Sequence, residues 1–261
     1  MASFWEIQRV ESGGTLLDDM ATYVAQPNEP GRHPAVIVIQ EVFGVNHHIQ
    51  NVADRFAAAG YFAVAPALFH REGANEEVRG TNPEFGYPGA PDGDARNAAV
   101  GRWKDQELVL DLQTTIDWLR NHPRVVNDKI GIVGFCAGGR ITYLAAAACR
   151  GLSAAVNFYG GNTMAIWGAG PTPFERTAQV SCPMLGLFGD QDANPTPDDV
   201  SKIEAAMKAA GKTFESHMYQ GAGHGFFCDE RDSYHEASAK DAWEKTLGWF
   251  AKYLAPVKAA A

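Results

Sequence analysis

Between Lys129 and Ala148 the chain reads KIGIVGFCAGGRITYLAAAA. Ile130 and Ile132-Val133 are β-branched and bounded by a turn signal, which predicts a short buried strand. Ile141, Leu144, Ala145 and Ala148 recur at helical spacing, which predicts a helix directly after it. Only the knot Gly134-Phe135-Cys136-Ala137-Gly138-Gly139 separates the two. A turn that sharp forces its central residue into strained backbone angles and demands small neighbours two positions away. Gly134 and Gly138 meet that demand, and the pattern is G-x-S-x-G with cysteine in place of serine. The central side chain then stands beside a helix N-terminus, a place suited to an anion, whether a thiolate or a developing oxyanion. A buried, inert cysteine is the bland alternative, so the partners of Cys136 decide.

The rest of the chain alternates strand and helix. Phe4 to Glu11 and Ala21 to Ala25 read as strands around SGGTLLDD. Ala35 to Gln40 is a continuous apolar run, as in a parallel sheet covered on both faces. Ile49, Val52, Phe56 and Ala59 mark a helix face that Gly60 ends. Strands follow at Phe62 to Ala65, Ala154 to Tyr159, Met184 to Phe188 and Phe214 to Tyr219. Helices are expected around Leu108–Leu119, Ile203–Ala210 and Trp243–Leu254. The pattern predicts an α/β fold with a mostly parallel central sheet and helices on both faces. With 261 residues, 46% hydrophobic and 20% charged, the chain can bury a sizeable core. No internal repeat or linker appears, so 1–261 reads as a single domain. Within it, 70–95 is a long loop excursion rich in Gly, Pro and charge, and 256–261 a loose tail.

A net charge of −9, from 22 basic and 31 acidic residues, argues against nucleic acid or an anionic membrane as partner. No run is long enough to span a bilayer, and the first residues lack the pattern of a signal peptide. Cys136, Cys149, Cys182 and Cys228 show no C-x-x-C spacing, which points away from disulfides and zinc and towards a reducing cytoplasm. Cys149, Cys182 and Cys228 are expected to pack as small apolar groups. Three further motifs carry little. AAGKT at 209–213 lacks the first P-loop glycine and follows a helix. DQDANP has Pro195 where a calcium loop needs glycine. His47-His48 lacks a third ligand and is expected on a polar helix face. Neither metal nor cofactor is expected.

Ligands of open α/β sheets sit at the carboxyl ends of the strands, so the residues just past each strand matter most. GDQD, with Asp190 and Asp192, follows the Met184 strand, and GAGHGFF, with His224, follows the Phe214 strand. Cysteine, aspartate and histidine thus occur in the nucleophile–acid–base order of α/β-hydrolases. Glu41 ends the third strand. The loop there normally supplies one oxyanion-hole N–H and the residue after the nucleophile the other, here Val42 and Ala137.

QEVFGVN, GFCAGGR, GDQD and GHGFF, in this order and spacing, resemble the dienelactone hydrolases (carboxymethylenebutenolidases) over roughly Thr22 to Leu254. The resemblance implies an α/β-hydrolase fold and an esterase or lactonase acting through an acyl-enzyme, without cofactor, on a small ester or lactone. It implies Cys136 as nucleophile, His224 as base, and Asp192 as the acid that closes a G-x-x-D turn. Glu41 would partner the resting cysteine, keeping the oxidisable thiol protonated until substrate binds. The family's substrate type carries a carboxylate held by two arginines, so an anionic substrate is one expectation. One arginine lies seven positions before a tryptophan, which gives Arg96 and Trp103 here. The other lies four positions after the histidine, where this chain has Cys228 and, nearby, Arg231. Tyr159 joins these as an expected substrate contact. The alternatives are a general carboxylesterase or thioesterase of the same fold, a thiol redox protein, and a non-catalytic binding protein on a hydrolase scaffold. The redox reading lacks a resolving cysteine near Cys136 in sequence.

Overall fold

The computed structural model describes residues 2–12, 15–72, 98 and 100–254. Arg96, most of the 70–95 excursion and the 256–261 tail lie outside the described residues.

Among the described residues, eight strands form one sheet: β1 (Ala2–Ser12), β2 (Thr15–Gln26), β3 (His33–Ile39), β4 (Phe62–Pro66), β5 (Val125–Phe135), β6 (Ala154–Phe158), β7 (Met184–Gly189) and β8 (Phe214–Tyr219). Their order is β1-β2-β4-β3-β5-β6-β7-β8. The β1/β2 hairpin and the β2/β4 pair are antiparallel, and all other neighbours are parallel. The hairpin is longer than the sequence suggests. Pairing runs from Ser12↔Thr15 outwards, so Leu16 to Asp19 belong to a strand and not to a turn.

Among the described residues the helices flanking the sheet include α1 (His47–Ala58), α2 (Asp105–Asn121), α3 (Ala137–Ala148), α4 (Pro197–Ala209) and α5 (Glu236–Leu254). The two-residue period of the strands divides the core. Ile37, Ile39, Ile130 and Ile132 pack with Leu112 of α2, Leu144 of α3 and Ile203 of α4. Val36, Val38, Val133 and Phe135 pack on the other face with Val52 of α1 and Phe250 of α5. Both faces of β3 and β5 are therefore dry, which is why their sequences are continuously apolar. Among the described residues, no helix is long and apolar enough to cross a membrane.

Sequence order reverses between β3 and β5, the place where open α/β sheets form their ligand crevice. The turn from β5 into α3 lies at that point, and its fit is tight. A Cβ at Gly134 would collide with the Gly138 carbonyl oxygen, and one at Gly138 would lie 2.5 Å from the carbonyl oxygens of Ile39 and Gln40. The colliding atoms are backbone and cannot swing aside. Gly134→Ala is therefore expected to destabilise the protein by about 3 kcal/mol, measured by urea denaturation. An unchanged midpoint would mean that the turn tolerates expansion.

Candidate active site

Cys136 occupies the apex of the turn with φ 58° and ψ −120°, a region that costs a non-glycine residue of order 1–3 kcal/mol. The surroundings hold it there. Its N–H donates to Phe158 O at 3.1 Å, and its carbonyl accepts from Gly139 N at 2.9 Å. The half-buried side chain faces a cavity of about 420 Å³, which Val42, Ala137, Trp167, Asn194 and His224 help to line.

His224 follows β8. Its ring lies beside Cys136 at the same cavity, and its Nδ1 lies 2.9 Å from Asp192 Oδ2. Asp192 is buried, and its other oxygen accepts from Asn194 N at 2.8 Å. The carboxylate therefore fixes both the imidazole and the loop after β7. Asp190, two residues earlier, accepts instead from Gly221 N at 2.7 Å and from the Gln191 side chain. Burial works against a charge on His224, but the interactions with Asp192 and Cys136 outweigh it and lift the imidazole from 6.5 to about 10.

A pKa raised by folding makes stability depend on pH. The contribution of His224 is complete below about 6.5 and is lost as pH rises towards about 10. The advantage of wild type over His224→Gln in denaturant should therefore be largest near about pH 6 and shrink by about pH 10. An advantage that grows with pH would contradict this order of pKa values.

Val42 and Ala137 both line the cavity beside Cys136. Ala137 is the first residue of α3, so its N–H has no intrahelical partner.

Glu41 is buried just past β3, and among the described residues it shows no hydrogen bond to Cys136. Arg231 Nη1 lies 3.3 Å from Glu41 Oε1, and among the described residues Oε2 has no hydrogen-bond partner. A guanidinium offers a buried carboxylate a stronger partner than a thiol does.

Two of the expected substrate contacts are buried side chains. Tyr159 is fully buried, with its ring edge-on to His224 at 5.2 Å. Burial first, and then the negative charge of Glu41, push its hydroxyl well above the ordinary value. Trp103 is also buried, stacked on Phe69 at 4.6 Å. Neither is among the described residues that line the cavity, and Arg231 faces Glu41. Aromatic size and basic charge are visible in sequence, but which wall a side chain stands behind is not. His48 is a further correction: it is buried between Phe135 and Phe227, with His47 alone exposed.

Sequence reasoning missed a buried ion pair beside the elbow. Arg140, just after the elbow, is fully buried and paired to Asp105 of α2 through bonds of 2.6 and 3.0 Å. It also donates to Ala165 O at 2.7 Å and Asn162 O at 3.0 Å, and lies 3.8 Å from the centre of the Trp167 ring. One guanidinium thus ties the loop after β6, which lines the cavity, to α2 and α3. A buried arginine demands such partners, so Arg140 beside two glycines was the available signal.

The model of the "Dienelactone hydrolase family" matches residues 20–254. The chain belongs to the dienelactone hydrolase family. A "Putative carboxymethylenebutenolidase" of Salmonella typhimurium is 38% identical over 240 residues, covering 90% of this chain and 84% of that protein. A Bradyrhizobium protein named "Probable 2-oxo-3-(5-oxofuran-2-ylidene)propanoate lactonase" is 30% identical, covering 90% of each. The crystal structure titled "Putative Dienelactone Hydrolase from Klebsiella pneumoniae subsp. pneumoniae MGH 78578" matches with a TM-score of 0.79 and 34% identity, over 97% of this chain and 100% of that one. The fold is accordingly the α/β-hydrolase fold, and this dienelactone hydrolase relative is a carboxylic ester hydrolase acting on a small molecule.

Proposed function

We propose that the chain, as one α/β-hydrolase domain, opens lactones and cleaves activated esters through an acyl-enzyme on Cys136. The observation that carries this reading is the gathering of Cys136, His224 and Asp192 at one cavity, with the imidazole held by Asp192 at 2.9 Å. The lactonase name of the Bradyrhizobium relative points the same way.

A proton held on His224 leaves the Cys136 sulfur free to act as the thiolate, the form that attacks. Sγ bonds to the carbonyl carbon, and the electron pair moves onto the carbonyl oxygen. The N–H groups of Val42 and Ala137 are the donors for that oxyanion. As the tetrahedral species collapses, the ring C–O bond breaks and His224 passes its proton to the departing oxygen. His224 then takes a proton from water, the resulting hydroxide attacks the thioester, and the C–S bond breaks to release the acid. Asp192 holds the imidazole in the tautomer and orientation that both steps need. Glu41 and Arg231 brace the loop carrying Val42 from behind, and in that reading the glutamate holds the loop and not the resting thiol. Arg96 remains a candidate for contact with an anionic substrate.

Iodoacetamide tests the assignment. Inactivation should track one equivalent of label on Cys136, because Cys149, Cys182 and Cys228 are all buried, and burial pushes the Cys149 and Cys182 thiols up to about 12. Full turnover of p-nitrophenyl acetate after complete labelling of Cys136 would end it.

A further inference from the structure

The proposed reaction uses one end of the cavity and leaves Asn162 unexplained. This residue has φ 54°, in the left-handed region. Its backbone is fastened at both sides: the N–H donates to Asn194 Oδ1 at 3.0 Å, and the carbonyl accepts from buried Arg140 at 3.0 Å. The clamp admits no spare volume, because a Cβ on neighbouring Gly161 would run into the Asn194 side chain. Yet the Asn162 carboxamide makes no hydrogen bond among the described residues. A strained, doubly anchored residue thus presents an unused donor and acceptor to solvent.

Its position gives that arrangement a purpose. Asn162 and Asn194 line the Cys136 cavity and also a second cavity of about 280 Å³. The second cavity continues over Thr163, Met164, Ala165 and Pro195. Among the described residues its lining holds no basic group, and its one carboxylate, Asp199, is engaged by Thr196 at the start of α4. The walls mix Met164, Ala165 and Pro195 with polar Thr163 and suit a neutral chain, and the junction suits a group that both donates and accepts.

We propose that the second cavity is a distal subsite, and that Asn162 is its specificity-determining residue. The substrates it favours are lactones or esters whose carbon next to the carbonyl carries a neutral arm, joined through an amide. The amide meets the Asn162 carboxamide, and the rest of the arm lies along Met164 and Ala165. This deepens the proposed reaction at Cys136 and rests on it. Arg140 acts here as a positioning residue, holding the Asn162 and Ala165 carbonyls.

Three lactones with one reacting ring test the subsite: γ-butyrolactone, its α-octyl derivative and its α-hexanoylamino derivative. Efficiency, as kcat/KM, should rise in that order. The amide-armed lactone should exceed the bare one by about tenfold or more, as one hydrogen bond and a buried chain allow. Asn162→Ala should bring the amide-armed to alkyl-armed ratio close to one. Ala165→Trp, or Ala165→Leu if the tryptophan variant does not fold, should lower the ratio of armed to bare. Equal efficiency on all three lactones in wild type, or turnover of none, overturns the subsite, as do ratios unmoved by the Asn162 variant. The two claims fail separately. If iodoacetamide-sensitive turnover of p-nitrophenyl acetate persists without arm preference, only the subsite is lost. If labelling of Cys136 leaves that turnover intact, the proposed reaction itself is lost.

Discussion

Cys136→Ala lowers kcat/KM for p-nitrophenyl acetate by at least about four orders of magnitude, with the fold retained. The size follows from the role. Without the thiol no covalent intermediate forms, and what remains is the help that the cavity and the backbone donors give to direct attack by water. Alanine removes a small, half-buried side chain, so thermal denaturation should change little, and the loss is readable as chemistry. Cys136→Ser should also be severely impaired. A free thiol ionises at about pH 8.5 and can attack as a preformed anion, whereas an alcohol must surrender its proton during the attack. Equal turnover by the serine variant would mean that His224 works as an ordinary general base from a neutral resting pair.

His224→Ala should lose about as much as Cys136→Ala, and the double variant little more than either, because the residues act as one unit. Asp192→Asn should fall between, with a loss of about 10² to 10⁴ in kcat. Its amide can stay near His224 but cannot hold the charged imidazole or fix the tautomer. The bond to Asp192 is also one of the causes that lift His224, so in this variant the imidazole titrates lower and the pH dependence of acylation moves with it. Asp190→Asn should leave turnover within about twofold, since that carboxylate serves the turn at Gly221. Steady-state kinetics on the three variants checks the order. Greater damage from Asp190→Asn would assign the wrong acid.

Much of the frame was legible in the sequence for a physical reason. β3 and β5 are buried on both faces, so their apolar runs stand out, and the sharp turn at Cys136 can be built only with glycines at 134 and 138. The residues at strand ends were legible because the sheet gathers those ends at one edge. What sequence could not supply is the pairing of polar groups across that edge. Glu41 was visible as a buried carboxylate in need of a partner, but the choice between Cys136 and Arg231 is made by a loop 190 residues away. His48 read as polar because half of its helix is polar, yet the face that meets Phe135 takes it inside. Trp103 and Tyr159 are large aromatics near the site in sequence logic, and the burial of both could not be read from their type alone. Asn162 gave no signal, since its importance lies in a backbone angle and two distant clamps.

The account turns on a covalent bond at one sulfur, and acid-quench peptide mapping reads that bond directly. The enzyme is mixed with a p-nitrophenyl ester in the steady state, quenched in acid, digested and weighed by mass spectrometry. The acyl mass should appear on the peptide containing Cys136, at a fraction of the enzyme that matches any burst of p-nitrophenol, and should be absent from Cys136→Ala. Turnover with the acyl group on another residue would contradict the account. So would a burst of p-nitrophenol with no acyl mass on Cys136.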